Sequence, residues 1–311
     1  MRSAARRIRT IVIISLVSLL FFYNCSPSEN EKKKWPDSWN KGTIDISADE
    51  SFKPIVNALI EVFEANFPGT HIIPHYKPEA ECLKDFANDS IRVVIATRGY
   101  THNEEYYMID SLKLAPSMLT VARDAIAVIV NPQSADTLLT MNELRQILTG
   151  RFTKKLIPVF DGVKATSTVR FIVDSVLHSD SLSPNTVAAR TSEQVIDYVA
   201  KTPDAIGLIG VSWIGNKEDT TQMNFLKKVK IVSLESTNRP GGFVLPYQVN
   251  ISTKIYPMVR DLVYTLKENH VGLGKGFTDF MASDVGQLIF KRAYLAPAIR
   301  SFYVRKVRLT Q

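Results

Sequence analysis

Apolar and polar positions along the chain fall into a repeating rhythm of strand and helix. Residues 43–48 alternate with the period of two of a half-buried strand. Ile55, Leu59, Val62, Phe63 and Phe67 then keep one helical face until Pro68 and Gly69 end it. A strand at 71–76, a helix at 79–88 and a strand at 91–96 continue the series. Further along, the pattern predicts strands at 125–130 and 156–160, a helix at 141–148 stopped by Gly150, and helices at 166–177 and 192–201. Residues 205–209 and 229–234 read as strands, 239–242 as a turn, and 255–269, 274–281 and 284–293 as helices. Repeated units of this kind predict a parallel or mixed sheet with helices on both faces, with ligands beyond the carboxyl ends of the strands.

The N-terminus breaks the rhythm. Arg2, Arg6, Arg7 and Arg9 precede an uncharged, mostly apolar run over 11–23, and Cys25 follows. That run is shorter than the roughly 20 residues needed to span a bilayer, so a cleaved signal peptide over 1–24 is expected rather than a membrane-spanning anchor. Leader, apolar core and Cys resemble a bacterial lipoprotein signal, which implies that Cys25 carries a lipid and becomes the new N-terminus. An uncleaved signal-anchor with an incidental Cys is the alternative. Residues 25–40, polar and charged through 26–34, read as a flexible tether.

The leader also changes the meaning of the charge. The chain has 38 Lys+Arg against 31 Asp+Glu, a net charge of +7, but the leader holds four Arg and no acid, which leaves the remainder at +3. No basic stripe interleaved with aromatics appears elsewhere, so no nucleic-acid partner is expected. Cys82 is the only cysteine after Cys25, which rules out a disulfide within the mature body, and it reads as a small buried hydrophobe.

Two junctions carry the candidate chemistry. Residues 46–54 and 162–170 are rich in small hydroxyl side chains and each opens an amphipathic helix, where unpaired N–H groups and a partial positive charge suit an anion. Ser51 and Thr166 also fit as N-caps, a role worth about 1 kcal/mol and compatible with ligand binding. His71 and His75 can share one face of a strand but lack a third ligand nearby in sequence for a metal. Trp213 reads as core packing and 272–276 as a turn. Neither a nucleophile elbow nor a metalloprotease helix is present.

Residues 122–132, 139–150, 205–210, 245–248 and 276–287, followed by Pro297, resemble in order and spacing the phosphate-binding proteins of ABC uptake systems. The resemblance implies an α/β fold of the two-lobed type II periplasmic-binding class, with a ligand cleft between the lobes. Lobe 1 would comprise 41–121 plus 246–311 and lobe 2 would be 122–245. It implies a monomer without a cofactor or catalytic activity. Such a protein would be held to the membrane by its N-terminal lipid and would deliver inorganic phosphate or a similar oxyanion to an ABC permease with its ATPase. An envelope phosphate sensor or interaction protein on the same fold and a phosphate-ester hydrolase are the alternatives.

The same resemblance assigns the ligand to three segments. Ser51, with Glu50 as competitor, belongs to the first; Thr97 and Arg98 to the second; Thr166, Ser167 and Thr168 to the third. Family members often carry an Arg four residues before the third segment, where this chain has Gly162, and Ser167 replaces the usual Gly. Arg98, Lys164 and Arg170 are candidates for that charge, with Arg98 having the planar two-pronged donor that suits an oxyanion. A surface ion pair with Glu104 or Glu105 is the rival role for Arg98. The family's carboxylate acceptor for the phosphate proton is replaced here by Arg98, which leaves Asp49 and Glu50, with Asp161 expected to be more remote.

Overall fold

A computed structural model describes residues 37–299 apart from 89, 111, 112, 114, 163–165 and 269, all within the compact unit that begins at Asp37. The expected leader, Cys25 and Lys164 lie outside the described residues. Among the described residues no helix is long and apolar enough to cross a membrane.

The chain opens with β1 (Gly42–Asp49), β2 (Thr70–Lys77) and β3 (Ile91–Ala96), which form a parallel trio with β1 in the middle. The long β4 (Ser117–Val130) follows, then the two-residue β5 (Leu138–Leu139), β6 (Ile157–Phe160), β7 (Val187–Ala188) and β8 (Ala205–Gly210). The short β9 (Lys230–Ile231), β10 (Ser233–Ser236) and β11 (Arg239–Val244) lead to β12 (Val259–Leu266) and β13 (Ala296–Pro297). The main sheet runs β2-β1-β3-β12-β4-β8-β6-β7, and β5, β10 and β11 form a small second sheet. β12 lies antiparallel between β3 and β4.

β4 changes partners midway. Its residues up to Ala125 pair with β12, and from Ile126 onward they pair with β8. The same division appears in the packing. One core, with Ile46, Leu59, Phe63, Ile95, Phe277 and Phe290, is built on the β1 side by helices Lys53–Asn66, Leu273–Ala282 and Asp284–Arg292. Phe63 anchors it through ring contacts at 5.0, 5.4 and 5.3 Å to Phe67, Phe277 and Phe280. Two further cores flank β4, β8 and β6, one against helices Met141–Thr149 and Ser167–Ile172, the other against helix Ser192–Lys201. Apolar side chains buried on both faces of the sheet make two α/β/α halves that share β4. The second of these cores also takes Ile251, Tyr256 and Met258, beyond the boundary expected at 245.

Local chemistry agrees with several element ends. Helix Met141–Thr149 starts with a capping box between Thr140 and Glu143 and stops at Gly150, whose φ of 75° needs a residue without a Cβ. Three expectations are corrected. The segment expected as a helix over 255–269 contains β12. Val259, Leu262, Val263 and Leu266 keep helical spacing, but the strand is central and covered on both faces, so it shows no alternation and its β-branched and aromatic content decides. The expected turn at 239–242 belongs to β11. Residues 37–40, expected within the tether, are packed: Asp37 pairs with Arg92 at 3.3 Å and Trp39 meets Phe67 edge-on at 5.3 Å.

Candidate functional site

Both hydroxyl-rich junctions leave carboxyl ends of strands. β1 runs into a single 3-10 turn, Glu50–Phe52, where Asp49 caps by accepting from the Ser51 amide at 2.9 Å, and helix Lys53–Asn66 follows. β6 runs through Asp161 to Thr166, which caps helix Ser167–Ile172 by accepting from the Val169 amide at 3.3 Å. The fold then brings the two ends together. Ser51 Oγ lies 3.3 Å from Ser167 Oγ and donates to Asp161 Oδ2 at 3.4 Å, and Thr168 Oγ1 donates to the same oxygen at 3.5 Å. Ser51, Ser167 and Thr168 have no exposed surface.

The charge at this meeting point comes from β12. Arg260 Nη1 donates to Ser167 Oγ at 2.9 Å and to Thr168 Oγ1 at 3.3 Å. Its other edge faces Asp124, with Nε 2.9 Å and Nη2 2.8 Å from Oδ2, and the guanidinium lies 5.3 Å from the centre of the Phe52 ring. Asp124 is the residue paired with Arg260 across the β12–β4 register, so the ladder itself sets the ion pair. Gly210 makes room for it, because a Cβ there would come within 2.8 Å of Arg260 Nη2. Burial works against the charged guanidinium, but the carboxylates of Asp124 and Asp49 outweigh it and hold Arg260 above its ordinary range.

The acids nearby are shifted upward. Burial pushes Asp49 up to about 6, and burial with repulsion from Asp161 pushes Glu50 up to about 7. Asp161 is raised by its own burial. Asp49, Glu50, Asp161 and Thr166 line one cavity of about 270 Å³, with Lys53, Lys77 and Arg190 also on its wall.

The expected site residues thus separate into two groups. Ser51, Ser167 and Thr168 form the buried cluster, and Thr166 caps beside it. Glu50 accepts from the Ser192 amide at 3.3 Å and from its hydroxyl at 3.0 Å, so it faces the same cavity while bonding to the start of helix Ser192–Lys201. Thr97 is bonded to other partners. Its amide donates to Glu79 at 3.0 Å, its hydroxyl also bonds Glu79, and it accepts from Arg170 Nη2 at 2.7 Å. Arg98 is gripped by both oxygens of Glu104, at 2.8 and 3.0 Å, which holds Glu104 at about 2. Asp161, expected to be remote, is in the cluster.

Sequence reasoning passed over Arg260 and Asp124. The available signal was a pair of adjacent charged residues inside an otherwise apolar segment at each place, Arg123-Asp124 and Arg260-Asp261. A larger cavity of about 920 Å³ lies between helices Glu79–Asp85, His102–Asp110 and Ser167–Ile172. Its walls include Leu83, Tyr107, Met108, Val169 and Val173, and its arginines are those bonded to Glu79 and Glu104, so it is poorly suited to a small oxyanion. His71 and His75 bond different partners, Glu64 at 3.4 Å and Asp45 at 2.7 Å.

Comparison with known proteins places this geometry in context. The chain is 21% identical over 295 residues to the phosphate-binding protein PstS of Borreliella burgdorferi, covering 90% of this chain and 95% of that protein. Its fold is similar to that of a Clostridium perfringens protein described as a phosphate ABC transporter substrate-binding protein with bound phosphate, with a TM-score of 0.69, 21% identity, and coverage of 83% of this chain and all (100%) of the other. An ABC-type phosphate transport receptor from Vibrio cholerae is similar at a TM-score of 0.60 and 17% identity, over 81% of this chain and 99% of the receptor. The family model of the PBP superfamily domain matches residues 36–285, most of the chain, and the protein belongs to that superfamily.

Proposed function

We propose that this protein is a solute-binding protein that captures inorganic phosphate, or a close oxyanion, and delivers it to an ABC permease with its ATPase. The observation that carries the reading is the buried convergence of three hydroxyls and one guanidinium: Ser51, Ser167, Thr168 and Arg260. Hydroxyl and guanidinium donors in a water-poor site suit a compact anion, because charge-assisted hydrogen bonds are short and strong there. Relatives described as phosphate-binding proteins support the choice of ligand. In this reading Asp124 aims Arg260, the hydroxyls turn from one another to the ligand, and Asp49 or Asp161 accepts a proton that phosphate carries and sulfate lacks. Lobe 1 holds the first hydroxyl junction, lobe 2 the second, and the ligand is enclosed between them by hinge closure. The N-terminal features support a lipid on Cys25 and an envelope location, which the mass of the native N-terminus tests.

The test is calorimetric titration of protein stripped of ligand by unfolding and refolding. Phosphate and arsenate are expected to bind and sulfate is not. Equal binding of sulfate and phosphate would refute the phosphate assignment.

A further inference from the structure

The buried cluster holds more carboxylates than a receptor for an anion needs. Asp49 Oδ2 and Asp161 Oδ1 are enclosed and meet no hydrogen-bond partner among the described residues, and both residues line the cavity of about 270 Å³. An enclosed carboxylate oxygen without a donor is costly, so the complement to this pair is a ligand that brings donors.

Arg260 relieves the two acids only in part, since burial still leaves both raised. Arg260 is shared with Asp124, so that ion pair adds no net charge. Lys77 is committed to Asp85 at 2.7 Å, and Lys53 and Arg190 stand on the cavity wall. Glu79 repels Asp49, and Glu50 and Asp161 repel each other. A dianion brought here meets the like charge of Asp49, Glu50 and Asp161 on the same wall.

Phosphate exists near neutral pH in two forms. The dianion offers one hydroxyl donor, whereas the dihydrogen monoanion offers two donors and half the charge. On the reading given under Proposed function, we propose that the cleft takes phosphate as the dihydrogen monoanion. One ligand hydroxyl donates to Asp49 and the other to Asp161, while the two unprotonated oxygens accept from Arg260 and from Ser51, Ser167 and Thr168. The inventory is balanced: two donors meet two acceptors, and one negative charge meets the free edge of one guanidinium. Above the second ionisation of phosphate, binding must then draw a proton from solution. Affinity falls about tenfold per pH unit there, because the competent form becomes scarce by that factor.

The experiment is calorimetry of the full chain with inorganic phosphate near pH 8, in two buffers with different ionisation enthalpies, together with a pH series. Uptake of about one proton per phosphate is expected, from the linkage between proton and ligand binding. Phosphate bound with no proton uptake overturns the monoanion and leaves the phosphate assignment standing. Absence of phosphate binding at every pH overturns the phosphate assignment itself. Asp161→Asn and Asp49→Asn preserve shape but remove an acceptor, so in each the uptake is expected to drop toward zero and the pH dependence to flatten. Uptake unchanged in both variants overturns the roles given to these acids. The wild-type measurement decides the main claim even if a variant fails to fold.

Discussion

Arg98 and Arg260 illustrate two fates for the same side chain. Arg98 follows a strand's carboxyl end, where sequence pattern favours a ligand contact, yet both terminal nitrogens of its fork donate to Glu104 and its side chain is 30% exposed. Arg260 lies within a strand, 2% exposed, with one edge on Asp124 and the other turned to hydroxyls. A guanidinium serves an anion when its own carboxylate leaves an edge free. Position at a strand end says less than the geometry of the partner.

The largest expected effect breaks the buried half of this comparison. Arg260→Met leaves Asp124 charged and enclosed, which is expected to cost about 3–5 kcal/mol in urea unfolding and to abolish phosphate binding. Combining Arg260→Met with Asp124→Leu is expected to restore much of the stability and none of the binding. If the double variant still bound phosphate, the guanidinium would have no part in the site.

Glu50 provides a test of intermediate size. Its pKa in the folded protein is about 7, raised from 4.5, so its stabilising contribution is complete below 4.5 and is lost as pH rises through 7. Asp49 acts in the same sense, from 3.8 to about 6. Glu50→Gln is therefore expected to stabilise the protein by about 1–3 kcal/mol at pH 8, while changing little near pH 4. Melting temperatures at the two pH values measure this, and an equal shift at both would remove the titration as its cause.

The smallest effect belongs to Arg98. Arg98→Ala loses a partly exposed ion pair worth about 0–1 kcal/mol. Phosphate affinity is expected to stay at the wild-type value, and a tenfold loss by calorimetry would place Arg98 back in the site.

Much of the fold was legible because its helices are amphipathic and its first strands are bounded by turn signals. β3 and helix Ser192–Lys201 fall at the residues their patterns predict. β12 was not legible, since a strand covered on both faces has no alternation to read and its apolar residues also suit a helix. The site divides in the same way. Ser51 and residues 166–168 could be read from junction chemistry, a local property. Arg260 was hidden by the misread strand, and its orientation depends on Asp124, 136 positions away in sequence. Asp161 could not be placed, because its nearness to Ser51 arises only from the meeting of two junctions 110 residues apart.

The change of partners along β4 has a mechanical consequence. Asp124 is the penultimate residue paired with β12, and Ile126, two positions on, is already paired with β8. In a rotation of one half against the other about the shared strands, each atom travels in proportion to its distance from the axis. An ion pair on the shared strands would travel least in such a rotation, whereas Ser51 and Ser167, on the two junctions, would travel more. On the proposed function, Arg260 would already be aimed before the halves meet, and an anion would find its countercharge first and its hydroxyl clamp afterwards.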